Sequence, residues 1–145
     1  MPYAHTMQIT GLRSPHDKVN GLVYFGRMVD KIRLHSKGEL PADYQANLGE
    51  GFDKVCVNFL GIAYSALVER AIAGGTDEEL LEWCMANGKR RDEFDIAIWG
   101  EYLRKRGWND VASERLAERK AEYHCTDRAD IQTFFDFIDF DEGRK

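Results

Sequence analysis

The chain has 145 residues and a mass of 16.7 kDa, enough to bury roughly two thirds of its extended surface in one core. Charged residues make up 31% and hydrophobic ones 43%, with 12% aromatic, which excludes an intrinsically disordered or fibrous polymer. The net charge of -5 argues against a protein that works by coating phosphate backbones.

All three prolines lie at or before Pro41, so nothing later in the chain forbids helix. The first helix is predicted from Ser14, with Pro15 in the tolerated first position, to about Lys37 before Gly38. Pro41 to Gly51 reads as loop. A helix over Phe52 to Leu60 follows, with a strand as the alternative because Val55, Val57 and Phe59 alternate. Tyr64 to Ala73 is next, and Thr76 with Glu79 forms a capping box for a helix that stops at Asn87-Gly88. Asp92 caps a helix to Arg106 whose apolar positions sweep about 200°, which places it at the centre of the fold. A weakly amphipathic helix starts at Asn109 or Asp110. The last begins near Asp127 and carries Ile131, Phe134, Phe135 and Ile138 at steps of three and four. The expectation is an all-α, compact single-domain bundle of about six or seven helices, with residues 1–12 a poorly ordered N-terminal extension and 13–145 the helical domain.

The most informative irregularity is charge on the first helix. Arg33 and Asp30 fall about 20° and 80° from the Leu22 direction, at the edge of the apolar face, with Gly26 between them. An arginine buried there needs a carboxylate or a bound anion. One reading is an ion pair knitting two helices. The other is a cleft in which Arg33 grips an anion while Asp30 orients it, with Arg27 and Lys31 nearby and Gly26 leaving room. Trp108, just after Gly107 and the basic run Arg104-Lys105-Arg106, is the aromatic expected to be exposed and to touch a ligand. Trp83 and Trp99 read as core.

Other chemistry is thinner. Cys56, Cys84 and Cys125 are an odd number at wide spacing, as reduced thiols would be, with no C-x-x-C pair for zinc. Asp139, Asp141 and Gly143 echo part of a calcium loop but lack its remaining ligands. Neither metal nor cofactor is expected. Nucleotide, zinc-protease and serine-hydrolase motifs are absent from the sequence.

Four strings carry a resemblance: L-R-S-P at 12–15, G-R-M-V-D-K-I-R at 26–33, W-C-M-A-N-G at 83–88 and D-I-Q-T-F-F-D-F-I-D-F-D-E-G-R at 130–144. With them the chain resembles the domain-of-unknown-function 5069 family across about residues 10–144. The resemblance implies a bacterial, single-domain, cytosolic protein of unassigned activity, and brings no functional residues with it. Ala63 stands where that pattern leads one to expect an aspartate helix cap.

The functional expectation is a non-catalytic helical module that binds a small anionic ligand or a partner protein, through Arg33, Asp30, Arg27, Lys31 and Trp108. An enzyme using Asp30 with Asp136 or Asp139 as acid and base, with or without a divalent metal, is the alternative. Weak nucleic-acid contact through Lys89 to Arg91 and Arg104 to Arg106 is the third reading, disfavoured by the net charge. The chain has no apolar run of ~20 residues and MPYAHTMQITG lacks a signal-peptide core, so a cytoplasmic location without membrane contact is expected.

Overall fold

A computed structural model describes residues 8–145. Its elements run β1 (Lys18–Val19), β2 (Leu22–Val23), α1 (Phe25–Ser36), α2 (Ala42–Gln45), α3 (Phe52–Leu60), α4 (Tyr64–Ile72), α5 (Asp77–Asn87), α6 (Glu93–Arg104), α7 (Ser113–Glu122) and α8 (Phe134–Asp141). Among the described residues the fold is all-α apart from this hairpin of two-residue strands, and the helix beyond the expected six or seven is the four-residue α2 inside the segment read as loop.

Most helices with local signals stand as expected, but α7 starts at Ser113 rather than at Asn109 or Asp110, because the Asp110 carboxylate instead accepts the Gly107 and Ala112 amides in the preceding turn. Gly61 closes α3 in the left-handed conformation. Capping boxes open α5 at Thr76 and Glu79 and α6 at Asp92 and Asp95. Ala63 begins α4 with no side-chain cap.

Three further expectations are corrected. The helix predicted from Ser14 starts at Phe25, because Asn20 and Gly21, with φ of 46° and 86°, form a tight turn that pairs Val19 with Leu22. Asn-Gly supplies the left-handed residues such a hairpin needs, and that local preference overrides the apolar spacing. The last helix starts at Phe134, not near Asp127. Thr133 caps it by accepting a hydrogen bond from the Asp136 amide, and the preceding turns are held by Lys120 Nζ, which donates to the carbonyls of Arg128 and Ile131 at 2.8 and 2.9 Å. The third concerns α6, which is not central: Phe94, Ile98 and Tyr102 face solvent.

The centre belongs to α1, whose Phe25, Met28, Val29 and Ile32 pack with Leu60 of α3, Leu67 of α4, Leu80 of α5, Leu103 of α6 and Phe135 of α8. A smaller cluster of Leu116, Cys125, Ile131 and Phe137 joins α7 to α8. Of the expected N-terminal extension, residues 1–7 lie outside the described residues. Ile9 and Leu12 pack with Leu34 and Leu40, so the folded unit takes in the end of that segment. One glycine is fixed by contact: a Cβ on Gly88 would lie 2.1 Å from the Leu60 carbonyl oxygen, which also accepts the Lys89 amide at 2.7 Å. Among the described residues, no single helix is long and apolar enough to cross a membrane.

Candidate functional site

Tyr24, Arg27 and Lys31 fall at i, i+3 and i+7, on one face of α1 and its cap. This face forms part of the wall of a cleft of about 550 Å³, closed by α2 and the loop after it, by Arg119 and Tyr123 at the end of α7, and by α8. Tyr24 holds φ at 71°, a conformation that costs a bulky residue strain. Its ring is fixed against Phe52 and Phe135, and its hydroxyl donates to Asp53 Oδ1 at 2.7 Å.

Two ion pairs lie beneath the cleft. Arg27 donates both terminal nitrogens to Glu142, at 2.8 and 2.6 Å, with side-chain exposures of 5% and 2%. Glu142 also accepts from Tyr44 Oη at 2.8 Å and Arg144 Nη1 at 2.7 Å. Lys31 Nζ lies 2.8 Å from Asp53 Oδ1 and donates to Tyr24 Oη at 3.0 Å, while the second Asp53 oxygen accepts the Gly49 amide at 3.0 Å. Charges this far from water require partners of this quality.

The electrostatics follow from burial set against partners. Desolvation pushes the Glu142 carboxyl up, but Arg27, Tyr44 and Arg144 outweigh it and hold the group below the ordinary range. Desolvation wins at Lys31, pulling its ammonium below the usual lysine value despite Asp53. Burial and then Asp53 push the Tyr24 phenol well up, and burial and then Glu142 do the same at Tyr44. Both tyrosines are therefore neutral donors at neutral pH. Arg119 differs from the floor cations: its buried Nε makes no hydrogen bond and lies 3.7 Å from Glu122 Oε2, an ion pair too long for one.

Of the five residues expected to bind a ligand, Arg27 and Lys31 line this cleft and Arg33, Asp30 and Trp108 do not. Asp30 accepts the Arg13 amide and Nε at 2.9 Å each and Nη2 at 3.0 Å. Arg13 Nη1 reaches Asp77 at 2.8 Å, and Arg33 meets the other Asp77 oxygen at 2.6 Å. The result is an alternating row, Asp30, Arg13, Asp77, Arg33, which ties the segment before the hairpin and α1 to the start of α5. Arg33 and Asp30 are thus joined through two intermediaries. The space above Gly26 is filled by the Arg13 guanidinium, whose Cζ would lie 2.8 Å from an added Cβ.

Trp108 is exposed in a separate cleft with His16, Arg104, Lys105 and Lys145. Asp136 lines that second cleft and Asp30 a third, so the acid pair Asp30 and Asp136 does not converge. Asp139 accepts from Ser14 at 3.0 Å and Arg144 at 3.0 Å. In the basic triplets, Arg90 pairs with Glu82, Arg104 with Glu101 and Arg106 with Asp110. Arg91 donates to the Phe59 carbonyl at 2.9 Å. No group of three His, Cys, Asp or Glu side chains among the described residues is placed to hold a metal ion.

Sequence reasoning missed Tyr24, Tyr44, Asp53, Arg119 and Glu142. Tyr24 was readable by its spacing from Arg27 and Lys31. Glu142 stands 115 residues from Arg27, and no local pattern links them.

The family model for a domain of unknown function, DUF5069, matches residues 9–144, and the chain belongs to that family. Neither the curated proteins nor the solved structures contain a match.

Proposed function

We propose that the cleft between α1, α2, α7 and α8 binds a small ligand with one carboxylate on an apolar or aromatic body. The observation that carries this reading is Arg119, whose side chain lines the cleft while its buried Nε makes no hydrogen bond and is held only by a 3.7 Å ion pair with Glu122. A buried donor without an acceptor is costly, and a ligand oxygen removes the cost. The floor cations support the same class. Glu142 neutralises Arg27, and Asp53 and Tyr24 take two of the three protons of Lys31, which leaves one donor. Tyr44, Tyr123, Phe134 and Phe137 line the cleft and suit an aromatic body. Asp43, Glu50 and Asp141 line it too, so their charge opposes a polyanion such as a nucleotide and admits a single carboxylate.

The test is a thermal-shift series with benzoate, phenylacetate and succinate against benzamide, on the full chain and on Arg119→Ala. An aromatic carboxylate is expected to raise the melting temperature where its neutral amide does not. Arg119→Ala should abolish that rise without lowering the melting temperature of the free chain, since it removes an unsatisfied donor. An equal rise in the variant, or an equal response to benzamide, contradicts the proposal.

A further inference from the structure

Lys31 is buried, lines the cleft and is a nucleophile whenever its amine is neutral. Its Nζ lies 2.8 Å from Asp53 Oδ1 and donates to Tyr24 Oη at 3.0 Å. An ion pair that served the fold alone would be as well made with arginine, which keeps its proton, and the preceding turn uses one: Arg27, held through both terminal nitrogens by Glu142. A lysine can release its proton, and burial already pulls the Lys31 ammonium below the usual lysine value. We infer that Lys31 is a nucleophile that condenses with an aldehyde or ketone group of the ligand to form an imine on the floor of the cleft.

The groups around Nζ are those the condensation needs. Asp53 is fully buried, and its Oδ2 is fixed by the Gly49 amide at 3.0 Å. Its Oδ1 meets both Lys31 and the Tyr24 hydroxyl, the latter at 2.7 Å. An acceptor for the ammonium proton and a donor toward the carbonyl oxygen therefore stand within hydrogen-bond reach of the nucleophile. The Tyr24 hydroxyl holds this position from a backbone at φ 71°, and strain of this kind collects at functional sites.

The step balances without a further reagent. Lys31 passes a proton to Asp53, and the freed nitrogen pair attacks the carbonyl carbon. A C–N bond forms as the C=O π bond opens, and the oxygen takes a proton from Tyr24, which is resupplied by Asp53. A second proton follows the same route when the nitrogen pair forms the C=N bond and expels the oxygen as water. The product iminium keeps the single positive charge of the ammonium, beside an Asp53 that is again a carboxylate. The class of ligand rests on the carboxylate reading of this cleft: an aldehyde or ketone that carries its carboxylate across an aromatic body, with Arg119 of α7 taking the acid and Lys31 of α1 the carbonyl.

The test is reductive trapping on the full chain: 4-formylbenzoate with sodium cyanoborohydride near neutral pH, read by intact mass and peptide mapping, with benzaldehyde as the neutral probe. One adduct per chain is expected, at Lys31 ahead of the seven other lysines. Lys31→Arg, which keeps the charge beside Asp53, should lose that adduct, and Tyr24→Phe should slow its formation by at least about tenfold. No adduct at Lys31, or adducts spread at equal rates over the exposed lysines, overturns the inference; benzoate that still raises the melting temperature then leaves the carboxylate reading standing. Trapping at Lys31 that is equally fast with benzaldehyde, or in Arg119→Ala, supports the nucleophile and counts against the carboxylate reading instead.

Discussion

Helices α1 and α6 are each twelve residues long, yet nine residues of α1 are buried against three of α6. By apolar content α6 is the better candidate for the centre, and α1, with Arg27, Asp30 and Lys31, the worse. The difference lies in what other elements supply. Each buried charge on α1 meets a partner from elsewhere: Glu142 beyond α8, Arg13 before the hairpin, Asp53 on α3. On α6 the apolar positions spread too widely for one inward face, so Trp99 and Leu103 go in while Phe94, Ile98 and Tyr102 stay out. Burial here follows from partners, and a count of apolar residues misses it.

Removing partners is the strongest way to break the contrast. Glu142→Ala strands Arg27 in the interior and is expected to cost about 3–5 kcal/mol, read by urea unfolding. An effect below ~1 kcal/mol would mean that water reaches the pair. On α6 the inner and outer faces should separate sharply: Leu103→Ala is expected to cost about 2–5 kcal/mol. Phe94→Ala, on the exposed face, should stay within about 0.5 kcal/mol. Equal effects would erase the distinction.

Tyr24→Phe leaves Asp53 and Lys31 each short of one hydrogen bond and should cost about 1–3 kcal/mol, without changing the helical spectrum. The pH response is gentler and its sign is fixed. Glu142 and Asp77 both have folded values below their ordinary ones, so their stabilisation is complete above the unfolded carboxylate range, ~4, and is lost as pH falls through the lower folded values. Melting temperatures taken from neutral pH down to about pH 3 should therefore fall, and Glu142→Gln should flatten the slope. A wild-type profile that does not move contradicts the pairing of both groups.

What was legible in the sequence was local. Thr76 with Glu79, Asp92 and Gly61 each name a helix end within four residues, and the structure places those ends there. The turn at Asn20-Gly21 was equally local, but the apolar spacing of Val19 and Leu22 concealed it, since a tight hairpin and a helix turn can share that spacing. The site was half legible. The spacing of Arg27 and Lys31 puts them on one face, and both line the cleft. Arg33 and Asp30 stand out in the sequence as charge at a core edge. Their partners, Asp77 and Arg13, come from segments whose approach only the folded chain defines.

The direct test of the central claim, that the paired floor of the cleft leaves Arg119 to receive a carboxylate, is to follow the arginine Nε–H resonances by NMR during titration with benzoate. The Arg119 signal should move downfield and saturate while that of Arg27, already bound to Glu142, stays in place. Saturating benzoate that leaves Arg119 unmoved, or that shifts the exposed arginines equally, would contradict it.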